Sequence, residues 1–196
     1  MLRARALSAA LLAAVAVSAC GDDGGDGDGG GGGGGGRVDA SGDIAAAGPA
    51  DEGIEGVEAF RVTSQLHVED DVDYPVLPPP GGPHDQEWAN CGFHDAPIRQ
   101  EHLVHDLEHG AVWLAYDPDL GADDLATLEA LAGSAKVVAA PYPDLADGEA
   151  VVATAWARQL RLDAVDDDRL EQFVLQYQDG DQAPEAGVTC TGTSIP

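Results

Sequence analysis

Hydrophobic and polar positions alternate along the chain in a way that separates strands from helices. Phe60, Val62, Leu66 and Val68 recur with period two, broken at Ser64, and predict a strand. Tyr74 to Gly82 is dominated by Pro and Gly and predicts an irregular loop. Asp95 can cap and Pro97 can open a helix that ends at Gly110, a residue suited to the position just past a helix terminus. Ala111 to Tyr116 is a continuous apolar run and predicts a buried strand. Leu125, Leu128 and Leu131 mark one helix face, and Lys136 to Ala140 a strand stopped by Pro141 and Pro143. Val151 to about Leu162 predicts a further strand, bent near Trp156. Leu170, Phe173, Val174 and Tyr177 follow the i, i+3, i+4, i+7 pattern of a closing helix, with Asp166 to Asp168 at its positive N-terminal end. The order β-α-β-α-β-β-α predicts an α+β fold, a small mixed sheet with helices packed on it.

The pattern is different before this domain. Met1 to Ala19 has a basic start (Arg3, Arg5), an apolar run from Ala6 to Val17 and small residues before Cys20, the layout of a secretory signal. The run is shorter than the roughly 20 residues that a spanning helix needs. Val17-Ser18-Ala19-Cys20 resembles a bacterial lipobox, which implies cleavage after residue 19 and lipidation of Cys20. A product anchored in this way works at the extracytoplasmic face of the cell membrane, in an oxidising compartment. Residues 20–56, rich in Gly, Asp and Ala, cannot bury enough apolar surface to offset their ordering entropy, and they are expected to form a disordered tether. One globular domain is expected over 57–196.

Charge excludes some functions. The 196 residues carry 9 Lys+Arg against 36 Asp+Glu, a formal charge of -27, and Lys136 is the only lysine. Phosphate neutralisation needs clustered bases, so nucleic acid is excluded as a partner. The expected partners are the membrane, through the lipid, and an unidentified envelope protein; the domain itself is expected to be monomeric.

All 6 histidines lie between His67 and His109. Imidazole is the commonest transition-metal ligand, so the clustering calls for a metal reading. With His102 at 0° and about 100° per residue, His105 falls near 300° and His109 near 340°, opposite Leu103 and Leu107. His105 and His109, one turn apart, can share one ion, whereas His102 and His109 are about 10.5 Å apart along the axis. His67 and His84 can supply further ligands from distant segments, and Glu108 or Asp106 can act as ligand or outer partner. The only methionine is Met1, so axial-Met copper is excluded for the cleaved product. A histidine-dominated Cu or Zn site remains, with His67, His84, His105, His109 and Glu108 as candidate ligands.

Two alternatives accompany this reading. His105-Asp106-Leu107-Glu108-His109 matches the His-x-x-Glu-His pattern of inverted zinc metalloproteases, in which Glu108 would be the general base of a metal-dependent hydrolase. In a non-catalytic interaction module the histidines and Trp88 would instead hydrogen-bond within a structural core. Cys91 and Cys190 form an even pair once Cys20 is lipidated, which favours a disulfide over thiolate ligation by Cys91.

Three ordered motifs resemble a known family. Pro78-Pro79-Pro80-Gly81-Gly82-Pro83-His84, Trp88-Ala89-Asn90-Cys91-Gly92-Phe93, and Val104-His105-Asp106-Leu107-Glu108-His109-Gly110 with Val112 and Tyr116 are similar to the signature of domain-of-unknown-function family 3105. That family is common in actinobacterial secreted and membrane-anchored proteins. The resemblance covers about Phe60 to Cys190 and implies membership rather than an activity. Its family-like positions are His67, His84, Trp88, Cys91, His105, Glu108, His109 and Gly110. Pro-Pro-Gly-Gly-Pro stands here where many relatives have Pro-Pro-Thr-Ser-Gly, and His94 stands where an aromatic is usual.

Overall fold

Complete burial of the apolar run after the first helix sets the architecture. In a computed structural model, which describes residues 36–50, 53–134, 136–193 and 195, that run forms strand β6 (Val112–Tyr116), buried at every position. Val112, Leu114 and Tyr116 pack into one hydrophobic cluster, and Trp113 and Ala115 into another on the opposite side. A strand covered on both faces needs apolar residues at every position, and that is why the run lacks alternation.

The other strands are β1 (Arg37–Asp39), β2 (Ile44–Pro49), β3 (Glu58–Val62), β4 (Asp71–Asp73), β5 (Gly92–Phe93), β7 (Val137–Pro141), β8 (Val151–Ala155) and β9 (Arg158–Leu162). Seven of them form a mixed sheet in the order β2-β3-β9-β8-β6-β7-β5, with β7 parallel to β5 and β6 and the remaining pairs antiparallel. β1 pairs with β4 in a separate two-stranded parallel ribbon. Helices α2 (Ala122–Ala132) and α3 (Asp168–Tyr177) place Leu128, Leu170, Phe173, Val174 and Tyr177 on one face of the sheet. Helix α1 (Gln100–Glu108) places Leu103, Val104 and Leu107 on the other.

The α+β class agrees with expectation, but the element order differs. β1 and β2 lie within 37–56, the stretch expected to continue the tether, so the ordered domain extends well before residue 57. Ile44 is 5% exposed, and Ile54 and Val57 also enter the core: sparse apolar residues suffice for an edge hairpin. Val151–Leu162 is two antiparallel strands joined at Trp156 and Ala157, not one bent strand. Ala157 has φ 60°, a turn conformation its side chain does not announce. The signal, Cys20 and the glycine run to residue 35 lie outside the described residues.

Both ends of α1 matter for the site. Its start is later than expected: Arg99 occupies the cap position without a side-chain cap, and Asp95 and Pro97 precede the helix. The Arg99 guanidinium instead reaches Asp85 at 2.6 Å and Glu101 at 3.2 Å, which ties the segment after His84 to the helix start. At the other end Gly110 N–H donates to Leu107 O and Ala111 N–H to Asp106 O, a Schellman closure. Gly110 has φ 94°, and a Cβ there would lie 3.2 Å from the Asp179 Cα. Lys136 Nζ donates to the His109 carbonyl at 2.7 Å and to the Val188 carbonyl, and pairs with Asp179 at 2.7 Å. The lone lysine therefore joins the helix terminus to the C-terminal segment.

Candidate metal centre

Three separate segments bring the histidines together. The Pro-Gly loop is buried from Pro78 to His84. Gly81 (φ 141°) and Gly82 (φ 116°) take backbone conformations that side-chain-bearing residues rarely adopt, and a Cβ on either would crowd Val62 or Ile44. That path lays His84 beside His67 in a parallel bridge, with Val68 N–H donating to His84 O at 2.7 Å and His84 N–H to Leu66 O at 2.9 Å. Helix α1 contributes His105 and Glu108, and His109 is its C-cap residue.

His67, His84, His105 and Glu108 each offer a ligand atom, and these atoms lie within 4.8 Å of one another. The cluster can bind a divalent transition metal such as Cu or Zn. Glu108 Oε2 is 3.1 Å from His84 Nε2 and 3.7 Å from His67 Nε2. His84 is fully buried and His105 and Glu108 nearly so, while the His67 side chain is 50% exposed, so the centre opens to solvent on the His67 side. The His67 and His105 rings stack at 5.0 Å, and His84 meets both edge-on at 4.9 Å. Trp88 flanks His105, and Trp156 lies against His84.

The outer partners fix the tautomers. His84 Nδ1 is 2.8 Å from the Gly82 carbonyl, and His105 Nδ1 is 2.7 Å from the Asp85 carbonyl. A carbonyl only accepts, so each ring places a hydrogen on Nδ1, and the neutral form of each turns an Nε2 lone pair into the cluster. Burial lowers the His105 pKa, offset in part by its bond to Asp85 O and reinforced by the neighbouring His84 and His67. Burial lowers that of His109 too, aided by His105. Neutral rings are the form that ligates metal. Burial pushes the Glu108 carboxyl up, but the adjacent His84 and the surrounding imidazoles outweigh it and hold it below its ordinary value.

The remaining candidates are not members of this four-donor set. His109 lies outside the four-donor set, although its Nε2 is 3.0 Å from that of His105. His102 Nδ1 bonds to Glu87 O and His94 Nε2 to Asn90 O, both away from the cluster. Asp106, considered as a ligand or outer partner, is fully buried away from the donors, and its Oδ2 accepts from Ala89 N–H at 3.2 Å. Cys91 is bonded to Cys190, which removes its thiolate from consideration as a ligand. Sequence reasoning missed the backbone acceptors Gly82 and Asp85, because any residue type supplies a carbonyl.

Burial raises the Asp106 carboxyl well above its ordinary value of 3.8, against weaker opposing pulls from Ala89 N–H and the Lys136 charge. The folded state then holds a proton that the unfolded chain releases above about pH 4, so this group costs stability as pH rises beyond that point. Asp106→Asn is expected to remove the cost. In urea unfolding across pH 3 to 8 the variant should gain on the wild type from about pH 4 upward; parallel curves would contradict the assignment.

A family described as "Protein of unknown function (DUF3105)" matches residues 67–192. The chain belongs to this family. The DUF3105 region contains all four clustered donors, His109, Trp88 and both bridged cysteines. No curated protein and no solved structure matches the chain. Among the described residues, no helix is long and apolar enough to cross a membrane.

Proposed function

We propose that this protein is a lipid-anchored, extracytoplasmic metal-binding domain that holds divalent Cu or Zn without catalysing a reaction. The observation that carries the reading is the convergence of imidazole Nε2 atoms on Glu108, with His84 and His105 each oriented by a backbone carbonyl. With a ring hydrogen of each committed to a backbone carbonyl, the neutral forms of His84 and His105 turn their Nε2 lone pairs toward the cluster, where a cation can take them. The lipobox-like Val17-Ser18-Ala19-Cys20 supports the anchor and the location, and the acidity of the chain favours local cation enrichment.

The hydrolase reading requires Glu108 to act on water beside the ion. Its Oε2 is instead within hydrogen-bond distance of His84 Nε2, among the ligand atoms, which favours a ligand over a base. The test is metal titration of the purified protein followed by elemental analysis. Stoichiometric Cu or Zn at micromolar metal, lost in His105→Ala, is the expected result. Absence of stoichiometric metal, with His105→Ala indistinguishable from wild type, would sink the proposal.

A further inference from the structure

His109 stands outside the four-donor set yet is oriented like its members. Its side chain is 3% exposed and its Nδ1 is 3.1 Å from the Thr189 carbonyl, so on the neutral ring its Nε2 carries a lone pair. That atom faces His105 Nε2 at 3.0 Å, and the His105 hydrogen is likewise committed to the Asp85 carbonyl. Two lone pairs at this separation repel. A cation ligated by both turns the repulsion into attraction, and the spacing is near the roughly 3.3 Å between two nitrogens on a tetrahedral ion with bonds of about 2.0 Å.

A carboxylate stands at the outer side of this pair. Glu185 Oε2 is 3.7 Å from His109 Nε2, and its side chain is 55% exposed, free to rotate toward an ion. The Glu185 backbone is held in place, because its N–H donates to Glu108 O at 2.9 Å on the last turn of α1. The six side chains thus divide into two sets of the same chemistry. His67, His84 and Glu108 form one, and His105, His109 and Glu185 form the other, each with two imidazoles and one carboxylate.

We propose that the centre takes two divalent first-row metal ions side by side, the second held by His105, His109 and Glu185 with water completing its shell. The inference rests on the metal-binding reading and extends it from one ion to two. His105 Nε2 has one lone pair and serves one ion at a time. At one equivalent it completes the compact four-donor set; at two it pairs with His109. The first ion is therefore bound more tightly than the second, and open water positions remain on both.

The test is titration of the intact protein with Zn(II), with bound metal counted after removal of excess. Two equivalents per chain in two phases are expected. Glu185→Gln, at an exposed position that does not threaten folding, and His109→Ala should each abolish the weaker phase and leave the tighter one. A single equivalent in the wild type, unchanged by either variant, would overturn the second site and leave the single-ion reading intact. Two equivalents that persist in both variants would also overturn it, by placing the second ion elsewhere. No bound Zn(II) at all would overturn both readings.

Discussion

Replacing His84 with alanine is expected to weaken metal binding by more than roughly 100-fold, whereas His102→Ala leaves it unchanged. Loss of an outer partner of a metal ligand costs roughly 10- to 100-fold in affinity, so loss of the donor itself should exceed that range. His84 is the fully buried member of the cluster, in contact with both His67 and His105, with its Nε2 3.1 Å from Glu108 Oε2. His102 sits on the same helix as His105 but gives its Nδ1 to the Glu87 carbonyl and takes no part in the cluster. Competition against a chromophoric chelator at fixed pH measures the difference, with circular dichroism to verify that both variants fold. Equal affinity in the two variants would mean that histidine content, not this geometry, governs binding.

Loss of the Cys91–Cys190 bridge is the second large effect. The cysteines are 99 residues apart in sequence, and a loop of that size is worth roughly 4 to 5 kcal/mol in the chain-entropy model. The bridge joins the Trp88–Cys91 loop to the C-terminal strap, where Asn90 also accepts from Gly192 N–H and donates to the Thr193 and Ile195 carbonyls. The same strap carries Thr189 and Glu185 to His109. Denaturant unfolding of the Cys91→Ser, Cys190→Ser double variant should show a loss of that order. A loss below about 1 kcal/mol would show that the hydrogen bonds alone hold the strap and that the unfolded chain gains little from release.

The parts of the fold that were legible are those with strong periodicity and one environment. The leucines of α2, the four buried residues of α3 and the uniform apolar run of β6 each announce the surface they bury. The edge hairpin escaped because Ile44–Pro49 is mostly Ala, Gly and Pro, with Ile44 as its one large core residue. The β8–β9 turn escaped because Trp156 and Ala157 are not turn formers; tertiary packing of Trp156 sets that corner.

In the site, the clustering of six histidines and the one-turn spacing of His105 and His109 were visible before any geometry. Asp106 shows the limit of the helical wheel. It projects at about 40° from His102, on the boundary between the histidine and leucine faces, and only packing against Ala89 assigns it to the buried side. The pairing of His67 with His84 depends on a single parallel bridge across the Pro-Gly loop, a non-local contact with no sequence periodicity. Glu185 was one acid among 36, and only the strap places it beside His109.

X-ray absorption spectroscopy of the protein loaded with one equivalent of Zn(II) tests the central claim most directly. The expected spectrum shows a shell of nitrogen and oxygen donors at about 2.0–2.1 Å with the outer scattering of about three imidazoles, supplied by His67, His84 and His105, and a carboxylate from Glu108. A shell of water oxygens, or one with fewer than about two imidazoles, would contradict it.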